Sequence, residues 1–306
     1  MKKLDLLKII LEPKPEDEKN PARRWAFPIS PNVLASFLSR AYTREVLARG
    51  GGEIENPEDV MKKIHAVSRW LSNPLRKPFL ILYGPNPGTG KSTLARAILR
   101  VIREDLPQFQ RNVSNAVYDE EKRIRDKMNM EIRAIYPPDL WEERVRWRKA
   151  WGRAMEADYW GKFEKEHPEL YRQICEIKGK AEKVIAPLKN KLKRLNVIAD
   201  DGLNFISADE LVSYAEQFGR KRVSDFNSGV LFLDDVGEEA RTANHMGNQI
   251  LPVTELLLER YNRRAVTIIT ANIGDETLAE RYGARIADRL NEVADKIAFM
   301  GKSFRK

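Results

Sequence analysis

The residues most able to do chemistry lie in one short run, Gly84-Pro85-Asn86-Pro87-Gly88-Thr89-Gly90-Lys91-Ser92-Thr93. It follows an apolar, β-prone segment and opens a helical pattern, the setting that a phosphate-binding P-loop requires. Backbone N–H groups of Gly88 to Ser92 can wrap a β-phosphate, because glycine permits the turn and a close approach. The start of the following helix adds its positive dipole end. Lys91 reaches β- and γ-oxygens, and the Ser92 hydroxyl is a ligand for Mg2+. Gly88, Thr89, Gly90, Lys91, Ser92 and Thr93 form the expected nucleotide-binding set. The run departs from the usual pattern at its start. The first glycine belongs five positions before Gly90, where Pro85 stands. Either the loop carries one extra residue after Gly84, or a proline replaces that glycine.

Three other constellations complete a nucleotide-hydrolysing set. Val230-Leu231-Phe232-Leu233-Asp234-Asp235 is an apolar strand ending in two acids, a Walker B pattern. Asp234 is expected to hold the water shell of Mg2+. Asp235 stands where many P-loop ATPases place a glutamate that polarises the attacking water, and aspartate is shorter. Glu238 and Glu239 are neighbouring candidates, both expected to face solvent. Thr270-Ala271-Asn272 closes another apolar strand, where Asn272 either orients the lytic water or caps the strand end. Arg285 and Arg289 lie four residues apart on one helix face. A guanidinium supplied across a subunit boundary can stabilise charge on a γ-phosphate. The plainer reading of the pair is a solvated face, or a salt bridge to Asp288 or Glu292.

These groups need a sheet to position them. Continuous apolar runs at 78–83, 203–207, 230–233, 265–270 and 296–300 suit central strands of a parallel sheet covered on both faces. Helical patterns alternate with them, at 92–104 and 208–218, so the domain reads as layered α/β. Upstream, Ser30-Pro31 and Asn56-Pro57 start two helices, each an N-cap followed by proline at the first helical position. Residues 1–29, with four prolines, read as an extended arm. The expected organisation is an N-terminal arm and small helical module over 1–74, then a P-loop domain over 75–306.

That domain carries a long helical insertion at about 106–200. Lys91 and Asp234 are 143 residues apart, whereas one helix, a strand, another helix and short loops need only about 50–60. The surplus reads as long charged helices broken at Pro137-Pro138 and near His167-Pro168. Ile174, Ile177, Val184, Leu188, Leu192 and Leu195 form its expected apolar stripe, despite Pro187. Residues 121–200 hold 20 Lys/Arg against 14 Asp/Glu, and Trp141, Trp147, Trp151 and Trp160 fall within twenty residues. Either the aromatics fill a small core, or they join Arg144, Arg146, Arg148 and Lys149 in a contact surface for DNA or protein.

Composition narrows the function classes. The chain has 306 residues and a formal charge of +9, which suits nucleic acid or an anionic ligand. A single cysteine, Cys175, excludes an internal disulfide framework and a cysteine-based zinc site. His65, His167 and His245 lack metal-ligand spacing. No apolar run approaches the roughly 20 residues of a membrane span. The start lacks a small-residue cleavage site, so a cytoplasmic location without membrane attachment is expected.

In this order, the pieces resemble the DnaC/IstB-like branch of the AAA+ ATPases, the helicase loaders and transposition accessory proteins. The resemblance covers 78–105 and 203–306. It rests on FISADEL at 205–211, LDDVGEE at 233–239, LLLERY at 256–261, TIITAN at 267–272, YGARIADRL at 282–290 and GKSFR at 301–305. It implies a P-loop AAA+ fold and ATP hydrolysis with Mg2+. It implies Asn272 as sensor I, Arg289 as the trans-acting arginine finger, Arg285 as its neighbour and Arg305 as a sensor II-like arginine. It also implies a chain without the full C-terminal lid of larger AAA+ proteins. The implied partners are ATP, a replicative helicase or a transposase, and DNA, single-stranded for a loader, with a homo-oligomer assembled on it. A metabolic P-loop kinase and a nucleotide-binding scaffold that never hydrolyses are the readings from other classes.

Overall fold

The computed structural model describes residues 6, 8–10, 27–50, 56–73, 75–152, 155–196 and 202–301. They fall into two compact units. One comprises Ile9–Phe109 and Arg194–Lys306, and the other Gln110–Lys193 with Met1–Lys8.

The first unit begins with helices α1 (Pro31–Ala48) and α2 (Pro57–Ser72), which pack on each other. Both have proline in the first turn. Asn56 caps α2 by accepting from the Asp59 amide, whereas the Ser30 side chain makes no capping bond. Phe27 and Ile29, at the end of the proline-rich segment, are buried rather than extended into solvent. The Phe27 amide donates to the Leu71 carbonyl, and Ile10 and Ile29 form an isolated bridge.

Strand β1 (Phe79–Tyr83) leads through the phosphate loop into α3 (Lys91–Arg100). A π-helical turn, Val101–Asp105, joins α3 to α4 (Leu106–Ile135). After the insertion come β2 (Leu203–Ser207) and α8 (Ala208–Phe218). The short α9 (Arg220–Ser224), β3 (Val230–Val236) and the hairpin β4–β5 (Ala243–His245 and Asn248–Ile250) follow. The chain continues through α10 (Pro252–Arg263), β6 (Thr267–Ala271), α11 (Asp275–Tyr282), α12 (Ala284–Val293) and β7 (Ala294–Ala298).

The five main strands pair in the order β2-β3-β6-β1-β7, every pair parallel. The fold is α/β, and β6 lies between the P-loop strand and the acid-bearing β3, the arrangement of a P-loop AAA+ domain. Side chains alternate between sheet faces. Phe79, Ile81, Leu231, Leu233 and Ile269 share one core with Leu211, Leu256, Leu257 and Leu290 of the helices. Helix α3 packs on β3 and β6, and α1 packs on α3. The antiparallel β4–β5 hairpin has no counterpart in the sequence reading, because three-residue strands are too short to show a period. Its turn is Met246-Gly247, both at positive φ, 48° and 79°, the requirement of a tight two-residue hairpin turn.

The second unit holds most of α4, then α5 (Pro138–Trp151), α6 (Glu156–Glu166) and most of α7 (Pro168–Asn196). The breaks fall at the two expected proline sites, and Pro187 sits inside α7. Ile132, Tyr136, Phe163 and Ile174 form a buried centre, with Trp141, Trp160 and Tyr171 packed against it. The aromatics therefore mostly fill a small core. Val184, expected in the apolar stripe, is exposed, and Ile185 is buried instead.

One buried cation ties the sheet's lower edge together. Arg260 of α10 has no exposed surface. It donates to Thr267 Oγ1 at 2.8 Å, to the carbonyls of Gly229 at 2.9 Å and Val266 at 2.6 Å, and to that of Phe226. Burial pulls its pKa down to about 9, which leaves it charged at neutral pH. Arg260→Met leaves these acceptors unpaired and should lower unfolding free energy by about 3 kcal/mol in urea titrations. A loss below about 1 kcal/mol would mean that water satisfies the carbonyls.

Candidate nucleotide site

The site lies at the C-terminal ends of β1, β3 and β6. Gly88 and Gly90 have φ of 75° and 96°, conformations that a Cβ opposes, and Gly90 is the N-cap of α3. Lys91 and Thr89 are buried. The Lys91 ammonium turns back into its own loop and donates to the carbonyls of Asn86 at 2.9 Å and Gly84 at 3.1 Å. A phosphate oxygen entering the loop can take over these bonds. A charge-assisted contact to a phosphate oxygen is the stronger partner.

The glycine at position 84 has a different cause. Its amide donates to the Ala271 carbonyl at 3.2 Å, and the next bond in the edge is Phe299 N to Tyr83 O at 2.7 Å. A Cβ on residue 84 would drive into the Phe299 carbonyl oxygen. Gly84 therefore serves the close passage of the chain leaving β7, and the turn that cradles an anion begins after it.

Both acids of β3 reach α3 by way of a β-bulge. Pairing between β3 and β6 is regular to Leu233–Ile269, then slips to Val236–Ala271. Within the slip Asp235 has φ 57°. Asp and Asn tolerate that left-handed conformation better than longer residues, which accounts for aspartate where glutamate is usual. Thr270 Oγ1 donates to Asp234 Oδ1 at 2.5 Å and accepts the Asp235 amide at 2.9 Å. Asp234 is buried, with Arg96 of α3 at 3.8 Å. Asp235 faces Ser92, whose hydroxyl is 3.5 Å from Asp235 Oδ1. Asp235 opens to solvent on one side, yet the surrounding loop withdraws enough water to raise its carboxyl above the ordinary value. The charges of Asp234 and Glu238 add to the rise, and Lys91 and Ser92 oppose it.

Asn272 leaves the end of β6 and donates to Glu238 Oε1 at 2.5 Å. Glu238 is exposed as expected, but Glu239 is not. Glu239 is 3% exposed. It accepts from the Gly237 amide at 2.8 Å and the Tyr282 hydroxyl at 2.5 Å, with Arg281 at 3.4 Å. Burial first, then the bond to Glu239, pushes the Tyr282 hydroxyl pKa well above 10. No periodicity marks a buried glutamate on a loop, so only the Arg281-Tyr282 pair on α11 could have hinted at it.

Helix α12 carries the two arginines. Arg285 is exposed, and Arg289 stacks over the Tyr261 ring at 4.9 Å. Arg264 takes the bridge to Glu292, at 2.6 Å. Among the described residues neither Arg285 nor Arg289 ion-pairs with Asp288 or Glu292, or makes a polar contact with the phosphate loop. Arg305 lies outside the described residues. Two contacts were not anticipated: Arg96 with Asp234, and Arg49 of α1 donating to Thr93 Oγ1 at 3.2 Å.

Among the described residues no cluster of three or more His, Cys, Asp or Glu could hold a metal by itself. The hydroxyl and carboxylate oxygens of Ser92, Asp234 and Asp235 suit Mg2+, which keeps waters and shares its shell with phosphates. Among the described residues no helix is long and apolar enough to cross a membrane.

No family model matches the chain, and no curated protein does. A similar solved structure is titled "Crystal Structure of the DnaI", at 20% identity with a TM-score of 0.29. The match covers 39% of this chain and 66% of that one, just short of two thirds.

The close approach at position 84 gives a direct check. Gly84→Ala should destabilise the protein by about 3 kcal/mol through main-chain overlap. Exposed Pro85→Gly should cost about 1 kcal/mol or less. Equal losses in urea unfolding would show that Gly84 is not held by the Phe299 backbone.

Proposed function

We propose that the protein is an ATP-binding and hydrolysing AAA+ factor that loads or remodels a replicative helicase on DNA. The observation that carries the ATPase reading is the convergence of Lys91, Ser92, Asp234 and Asp235 beyond the ends of β1 and β3, with Thr270 of the intervening β6 joining the two acids. Gly88, Thr89, Gly90, Lys91, Ser92 and Thr93 bind the phosphates. Ser92 and Asp234 would hold Mg2+, which when bound would supply positive charge against that of the phosphates. Asp235 takes the proton of the attacking water. Its raised pKa suits a base better than an ordinary aspartate, and Asn272 orients that water. Arg305 contacts the nucleotide.

Arg289 acts in trans, with Arg285 beside it. The lack of a polar contact between either guanidinium and its own loop, among the described residues, supports a site completed by a second copy, and so a homo-oligomer. The module of 1–74 holds the helicase, and the ATPase part assembles around single-stranded DNA in the cytoplasm. The helicase assignment rests on the LDDVGEE, TIITAN and YGARIADRL segments. A transposition accessory role shares them, and pulldown with the host helicase separates the two.

Two experiments test the site. Lys91→Ala should lose at least about tenfold in ATP affinity or turnover, since it removes the phosphate-facing charge. Arg289→Ala should bind ATP normally and hydrolyse poorly. Mixing the two variants should restore part of the activity, because each supplies what the other lacks. Mixtures that stay inactive would return Arg289 to a local role on Tyr261.

The second follows from the direction of the Asp235 shift. A raised carboxyl pKa means that the fold resists its ionisation, so the ionised group weakens folding above that pKa. Asp235→Asn should abolish turnover, keep ATP binding, and leave the nucleotide-free melting temperature at pH 7 equal or higher. A melting temperature lowered by several degrees would make Asp235 a structural anion instead.

A further inference from the structure

The insertion, taken by itself, holds an open cavity of about 240 Å3 on α5 and α6. Its walls are aromatic: Trp147 and Tyr159 have ring centroids 5.0 Å apart, and Phe163 stacks on Tyr159 at 5.7 Å. Its rim is acidic. Glu143, Asp158 and Glu166 line it, against one ammonium, Lys162, which lies 3.7 Å from Glu166. Trp151 and Met155 line the same cavity and are 61% and 41% exposed. They form an apolar shelf beside the carboxylates.

The rest of this aromatic cluster shows what such rings hold. Lys178 Nζ sits 3.9 Å from the Trp160 centroid, and the Arg144 guanidinium lies 4.7 Å from the same ring. Arg133 covers Trp141 at 4.8 Å. Among the described residues no cation lies over Trp147 or Trp151. Aromatic faces attract ammonium and guanidinium groups, and three carboxylates reinforce that attraction while repelling phosphate. The insertion's overall positive charge is therefore reversed at this cavity.

The geometry points to this cavity as a docking site for an arginine or lysine side chain presented on an amphipathic segment of a partner polypeptide. The cation enters between the rings and the rim, and an apolar neighbour on the same face of the segment covers Trp151 and Met155. Both halves of the surface find complements in one basic, apolar helix face.

The test uses the full chain and a fluorescent amphipathic Leu/Arg peptide, read by anisotropy. The peptide should bind, and its Leu/Glu counterpart should not. The exposed triple change Glu143→Gln, Asp158→Asn and Glu166→Gln should weaken binding roughly tenfold, as should Trp151→Ala. Lys162→Glu should tighten it, a gain that an unfolded variant could not give. Arg153→Ala should leave it unchanged. Equal affinity in the triple variant would overturn the proposal. So would displacement by free arginine at the peptide's own concentration, which would make the cavity a small-ligand site. Peptide binding seen only with Arg153→Ala would mean that the chain fills its own cavity, again overturning it. A single-stranded oligonucleotide that loses affinity with Trp151→Ala and gains it in the triple variant would assign the face to nucleic acid instead.

Discussion

The Thr270 hydroxyl makes two polar contacts at once at the sheet's C-terminal edge. Its single proton goes to Asp234, and its lone pairs accept the Asp235 amide. Successive residues of a regular strand point to opposite faces, so two consecutive aspartates would serve opposite sides of the sheet. The bulge removes that conflict. By slipping the ladder between Leu233 and Val236 it lets both carboxylates approach α3, Asp234 towards Arg96 and Asp235 towards Ser92. Bulges re-aim side chains in this way beside functional sites. The left-handed φ of Asp235 is the local cost, and a short acidic residue keeps it small.

Order at Thr270 continues along the chain. Gly237 follows the bulge at φ 111° with the Ile273 side chain closed against it. Glu239 then anchors the segment through its own loop amide, Tyr282 and Arg281. A buried carboxylate is costly unless paired and hydrogen-bonded, and this one has all three kinds of partner. Helix α11, which carries Arg281 and Tyr282, leads directly into α12 with Arg285 and Arg289. The segment after the acids and the helix before the arginines are thus one hydrogen-bonded unit.

The sheet was legible because its strands are buried on both faces and read as continuous apolar runs. Four of the five run boundaries shift by one to three residues, as Ala265–Thr270 does to Thr267–Ala271. Helix ends at proline and glycine were similarly plain. What remained hidden depends on tertiary packing. Glu239 has the composition of a surface residue and becomes buried only because α11 brings a phenol and a guanidinium to it. The exchange of Val184 for Ile185 falls in the turn just before Pro187, where proline removes the bond to the Lys183 carbonyl and displaces that preceding turn. The glycines, lysine, serine and acids of the candidate site were legible by type, whereas the bulge that aims Asp235 leaves no trace in residue spacing. Arg289's seat on Tyr261 joins α10 to α12, a contact that no local pattern encodes.

Helix α1 rests on α3, the helix that begins at the phosphate loop. Glu45 meets Arg100 at 3.0 Å, and Arg49 at the end of α1 reaches the Thr93 hydroxyl. A partly exposed ion pair and a single hydrogen bond to a hydroxyl each contribute little, about 1 kcal/mol. The apolar faces of the two helices, with Leu34, Leu38, Leu94 and Ile98 all buried, therefore supply the strength of the contact, and the polar pairs set its register. Arg49 is then the point where a shift of α1 is felt beside Ser92. On the proposed function, anything that binds α1 differently according to that register also changes how the loop binds phosphate. The converse holds to the same degree, because coupling between two binding events is reciprocal. The small size of the Arg49 contact bounds what it alone can transmit, so stronger coupling has to pass through the packed faces of α1 and α3.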